Sequence, residues 1–131
     1  MEKNAWSIAE LLQLSGSYWG ACALHAGVRL DVFTTLVGRT LTAGEVAGAC
    51  AADPRGTAML LDALTALGLL QKEGERYSAT PFATESLSKS SASYMGHIIM
   101  HHHHLVAGWA DLHQAVRSGG PVRSSSSAAE D

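Results

Sequence analysis

Apolar residues recur at helical spacing from the start of the chain. Ala5, Ile8, Ala9 and Leu12, with Trp6 beside them, predict a helix over Ala5 to Leu14, and Ser15-Gly16-Ser17 breaks it. From Tyr18 to Val37 the chain is apolar on nearly every side, through Tyr18, Trp19, Ala21, Cys22, Leu24, Val28, Leu30, Val32, Phe33 and Leu36. A helix apolar all round needs cover on all sides, and in so small a domain the expected cover is a second copy of the chain. Gly27 is the expected joint between two helices within this stretch.

Stronger punctuation follows. Thr42 and Glu45 form a capping box, with Leu41 and Val46 as the hydrophobic staple of a helix running to about Cys50. Asp53 as N-cap and Pro54 at the first helical position start another, whose stripe is Thr57, Leu60, Leu61, Leu64 and Leu67, with Gly68 as its stop. Leu69–Lys72 and Arg76–Thr80 around a Gly74 turn predict a β-hairpin. The order helix, helix, hairpin is that of a winged helix-turn-helix, so the expected fold class is mainly α with a small β-hairpin wing and extra N- and C-terminal helices. Pro81–Leu87 reads as a short helix, Ser88–Ser93 as a polar joint, and Tyr94–Ser118 as one long helix or two with a break at Gly108. The domain is expected over 1–118 and a linker over 119–131, where Gly119-Gly120-Pro121 and a serine run precede a second capping box, Ser127 with Glu130. That box marks the expected start of a further helix, so the chain reads as a piece of something longer.

The 131 residues suit one domain, and 47% apolar against 16% charged residues excludes disorder as the main state. A net charge of −3 gives no general attraction to phosphate. Within residues 39–80 four cations (Arg39, Arg55, Lys72, Arg76) face five carboxylates, leaving −1, and the Asp53–Leu67 helix offers only Arg55. A winged-helix transcriptional regulator is therefore the weaker reading, because DNA docking without a basic patch lacks its main affinity term. Cys22 and Cys50 are too few for a disulfide framework. No basic-then-apolar leader opens the chain and no apolar run spans a bilayer, so a cytoplasmic location is expected, without membrane or nucleic-acid partners.

The stretch from Ala23 to Phe33, then Leu41–Ala47, Leu60–Leu64, Gly68-Leu69-Leu70 and Tyr77–Thr80 resemble, in order and spacing, the N-terminal dimerisation domain of S-adenosylmethionine-dependent O-methyltransferases of the plant caffeate and bacterial polyketide or hydroxyneurosporene type. Trp109–Leu112, Ala115-Val116 and Gly119–Pro121 resemble the segment joining that domain to the catalytic one, so the likeness covers about residues 10 to 122. The resemblance implies a homodimer and a module that caps a small hydroxylated acceptor. In the intact enzyme, the deprotonated hydroxyl would attack the methyl group of S-adenosylmethionine. The Gly-rich cofactor loop and the catalytic histidine of that family have no counterpart in this chain, so no catalytic or cofactor-binding residue is assigned and no cofactor is expected to bind it. A free-standing dimerisation protein is the other alternative.

His97, His101 and His104 share one face of the predicted helix, at spacings that also suit a divalent metal, whereas Ile98, His102, Leu105, Trp109, Leu112 and Val116 share another. Only Asp111 supplies a carboxylate nearby, so no metal site is assigned. By resemblance, the helix before Trp109 lines the acceptor pocket, which makes Met100, His101 and His104 the candidate substrate-binding residues; a solvated polar face is the other reading of the same side chains. Tyr18 and Trp19 fit a core or a subunit interface better than a ligand.

Overall fold

Side-chain caps set half of the helix starts among the described residues. The computed structural model describes residues 5–122, so the box at Ser127 and Glu130 lies outside the described residues. Ser7 Oγ accepts from Glu10 N–H at 3.0 Å while the Glu10 carboxylate reaches back to Ser7 N–H, and this box starts α1 (Ile8–Ser15). Ala5 and Trp6 are therefore outside the helix that their spacing predicts. In the Thr42 box, Thr42 Oγ1 accepts from Glu45 N–H at 3.2 Å and Glu45 Oε1 accepts from Thr42 N–H at 3.0 Å. It starts α4 (Ala43–Cys50), with Leu41 and Val46 both buried. Asp53 Oδ2 accepts from Gly56 N–H at 2.8 Å at the head of α5 (Pro54–Ala66), and Thr80 Oγ1 accepts from Ala83 N–H at 3.1 Å at the head of α6 (Pro81–Leu87).

The joint expected at Gly27 lies elsewhere. Helix α2 (Tyr18–Arg29) runs through Gly27, and the chain turns at Leu30–Asp31 into α3 (Val32–Thr35). Asp31 takes the left-handed conformation at φ 59°, which Asp tolerates better than most residues, and its carboxylate holds Lys89 Nζ at 2.9 Å. Gly27 serves packing instead. A Cβ there would lie 3.0 Å from both Leu64 Cδ1 and Phe33 Cε2, so glycine lets α2 approach α5.

The hairpin forms as β2 (Leu70–Glu73) and β3 (Arg76–Ala79), with Gly74 at φ 60° in the turn. A third strand, β1 (Leu41–Thr42), pairs antiparallel with β3 in the register Leu41–Tyr77 and Thr42–Arg76, giving the order β1-β3-β2. Two residues are too few to show alternation in the sequence. Helices α7 (Gly96–Ala110) and α8 (Leu112–Ser118) complete a mainly helical fold. Their break is at Asp111 rather than Gly108, since a single glycine costs a helix only about 1 kcal/mol and α7 absorbs it.

Val32, Phe33, Leu36, Val46, Leu61 and Leu64 are fully buried at the centre, with Leu70 and Tyr77 closing the sheet side. Of the α5 stripe, Leu67 is half exposed, because α5 ends there. One polar lock ties α5 to the sheet. Tyr77 Oη donates to Asp62 Oδ1 at 2.5 Å and Lys72 Nζ donates to the same oxygen at 2.9 Å, while Lys72 sits 5.1 Å from the Tyr77 ring centroid. These donors, Tyr77 first, hold the Asp62 carboxyl below its usual range.

Two glycines should respond in opposite directions. Gly27→Leu forces extra methylenes against Phe33 and Leu64 and should lower stability by about 1–3 kcal/mol. Gly48→Ala, in α4 with nothing within 4 Å of the new methyl, should raise it by about 0.5–1 kcal/mol. Urea unfolding of both variants checks the pair.

Candidate functional site

Helix α7 begins at Gly96 and lies along α2, so residues recurring every three to four positions turn inward. Ile99 and Met100 are partly buried and pack on the core. One turn on, His103 is half-buried and meets His25 of α2 edge-to-face, with ring centroids 5.7 Å apart and planes at 75°. His101 and His104 are exposed; the His101 ring lies 6.4 Å from His102, and the His104 ring 5.4 Å from His103. The three candidate residues therefore divide, with Met100 on the inner side of α7 and the His101 imidazole on the solvent side.

His25 was not singled out by spacing. It is 6% exposed and its Nδ1 makes no hydrogen bond among the described residues. Burial is the main force pressing it toward the neutral imidazole, and the neighbouring His103 and His102 rings act the same way, so its pKa lies below the usual 6.5. The available signal was one histidine inside the apolar run Ala23–Val28.

Beside this pair, Cys22, Ala26, Arg29, Leu30, His103 and Val106 line a mostly apolar groove of about 350 Å³ between α2 and α7. A second groove, of about 370 Å³, runs along α7 and α8 past Leu105, Trp109 and Leu112. Apolar exposure is wider still. Trp6, Trp19 and Trp109 are 65%, 68% and 69% exposed, and α1 and α8 bury none of their residues. The Tyr18–Val37 stretch thus splits, with Val28, Val32, Phe33 and Leu36 in the core and Tyr18, Trp19 and Leu30 on the surface.

Other chemistries fit poorly. The exposed side of α5 presents Arg55, Met59, Asp62 and Leu67, one cation beside a carboxylate and apolar groups, which suits neither phosphate nor base edges. Among the described residues no three His, Cys, Asp or Glu side chains come together as a metal site. Strands β1 and β3 run straight into the helix caps Thr42 and Thr80, with no Gly-rich turn between strand and helix among the described residues, which therefore do not fit S-adenosylmethionine. No helix among them is long and apolar enough to cross a membrane.

Residues 12–89 match the O-methyltransferase dimerisation domain. The chain belongs to that family. It is 39% identical over 112 residues to the tetracenomycin polyketide synthesis 8-O-methyl transferase TcmO of Streptomyces glaucescens, covering 84% of this chain and 33% of the relative. It is 37% identical over 112 residues to the N,N-dimethyltransferase OxyT of Streptomyces rimosus, covering 83% and 32%. Human N-acetylserotonin methyltransferase, solved in complex with SAM, superposes with a TM-score of 0.77 at 25% identity, over 91% of this chain and 37% of that one. The chain thus spans about a third of the length of the curated relatives it matches.

The division of the candidate residues has a stability consequence in this dimerisation-family chain. Met100→Ala removes a half-buried side chain and should lower stability by about 1–2 kcal/mol. His101→Ala, on the exposed side, should change it by less than about 0.5 kcal/mol. Thermal melts of the two variants compare them directly.

Proposed function

We propose that this chain is the homodimerising and substrate-capping module, of winged-helix type, of a SAM-dependent methyltransferase acting on a small hydroxylated acceptor. The observation that carries the reading is the apolar surface of α1 and α2. Leu11, Leu12, Leu14, Tyr18 and Trp19 are all at least half exposed on consecutive turns, more than a solvated monomer ordinarily presents. Membership of a dimerisation-domain family supports a second copy as the cover. The order α4, α5, hairpin supports the winged-helix description. The names of TcmO and OxyT support methyl transfer to oxygen first and to nitrogen second.

In this reading the chain's own residues supply walls rather than chemistry. The cofactor belongs to a part of the enzyme outside these residues, and α7 forms one side of the acceptor site. Met100, packed on the core, fixes the helix, while His101 and His104 reach outward to the acceptor once the rest of the enzyme covers them. Excluding water and orienting the acceptor is the contribution such a wall makes to rate.

Sedimentation equilibrium of the chain at micromolar concentration should give a dimer, with an interface on the order of 2,000 Å² or more. Trp19→Glu places a charge on that face without touching the core, and should shift the population to monomer while helix content is kept. A wild-type chain that stays monomeric at that concentration overturns the proposal. In the intact enzyme, His101→Ala should lower kcat/KM for the acceptor by about 10-fold or more, with the melting temperature unchanged.

A further inference from the structure

Elements α2, α3 and α7 contain no Asp or Glu, yet α2 and α7 between them carry His25, His97, His101, His102, His103, His104 and Arg29. We propose that the contact of His25 with His103 is a pH-sensitive latch, closed when His25 is neutral and opened by its protonation, which frees α7 from α2. The geometry supplies the first reason. His25 is buried where the two helices bring rings together, and its Nδ1 has no hydrogen-bond partner among the described residues. An imidazolium there would keep its Nδ1–H without an acceptor among the described residues.

The surroundings supply the second. Facing this contact, α7 offers only imidazoles and α3 nothing titratable. Helix α2 itself adds Arg29, the Cys22 thiol and the Tyr18 phenol. Helix α5, on the other flank of α2, carries Arg55 and Asp62, and Asp62 is held by Tyr77 and Lys72. Helix α8, beyond α7, adds His113 and Arg117. Of the other carboxylates near these elements, Glu10 closes the Ser7 cap, Asp31 binds Lys89, and Asp111 follows His103 by eight positions, about 12 Å along a helix axis. Acidification therefore adds like charge to a contact with no anion among the described residues to receive it.

The direction follows by linkage. His25 binds its proton less readily in the closed state than in water, so the open state takes up more protons below the usual pKa of about 6.5. Closure is then fully favoured above that value and weakens as pH falls from it toward the lower closed-state pKa. The proposal is independent of methyl transfer.

Hydrogen exchange of the chain, corrected for intrinsic rates and followed from about pH 7.5 to about pH 5.5, tests it. Amides of residues 97–106 should open more often by up to about 10-fold per pH unit, while those of α4 and α5 hold their protection. His25→Phe keeps an aromatic ring against His103 and should abolish the pH dependence. Should that variant fail to fold, the NMR titration of the wild-type His25 imidazole decides, with a midpoint below 6.5 that tracks the loosening of α7. A midpoint at or above 6.5, a His25→Phe chain that loosens like wild type, or α4 and α5 amides opening in step with α7 would overturn the latch.

Discussion

The close approach of α2 to α5 at Gly27 is the constraint from which most of the arrangement follows. Leu64 and Phe33, both fully buried, leave room there for a hydrogen and nothing larger. With that contact fixed, Val28 must also face the core, and Tyr18 and Trp19 must face away from it. Trp19 folds its ring back over Gly16, where a Cβ would meet it at 2.9 Å, so the turn between α1 and α2 is set by the same helix. Helix α7 then packs on the remaining side of α2. One helix thus roofs the core and seats every peripheral element that carries the candidate chemistry.

Features whose signal lies within four residues were legible in the sequence. The Thr42–Glu45 box and the Asp53–Pro54 start each place a cap and its partner next to one another, and both form with hydrogen bonds of 2.8–3.2 Å. The Ser7–Glu10 box has the same pattern, but Ala5 and Trp6 extend the apolar period past it. Gly27 misleads for a different reason. Glycine in a helical pattern marks either a stop or a close approach, and only the positions of Phe33 and Leu64 decide which. Strand β1 depends wholly on a partner 36 residues away, Tyr77 opposite Leu41, and leaves no local trace.

The face of α7 was the least legible part. Four consecutive histidines sweep through about 300° in steps of about 100°, so they occupy every side of the helix and give no amphipathic direction. The flanking apolar residues do not resolve it either, because Ile98, Leu105 and Trp109 are exposed while Ile99 and Met100 pack on the core. Tertiary contact with α2 settles the rotation, turning His103 rather than His101 or His102 toward His25. Which of Met100, His101 and His104 faces the protein depends on a helix some 75 residues earlier in the chain.

Helix α1 is eight residues long and α8 seven, and neither buries a residue against the rest of the described structure. Isolated helices shorter than about 12–15 residues are marginal in water, because nucleation costs more than so few hydrogen bonds return. The capping box of α1 offsets about 1 kcal/mol of that, and α8 has no side-chain cap. Their apolar faces must therefore be covered by something outside the described residues if the helices are to persist. For α1, the cover must also meet Trp19 and Tyr18, which lie on the same surface in edge-to-face contact at 6.0 Å. A second copy presenting the same rings satisfies this, since a two-fold interface sets one patch against itself and buries both sets of aromatics together.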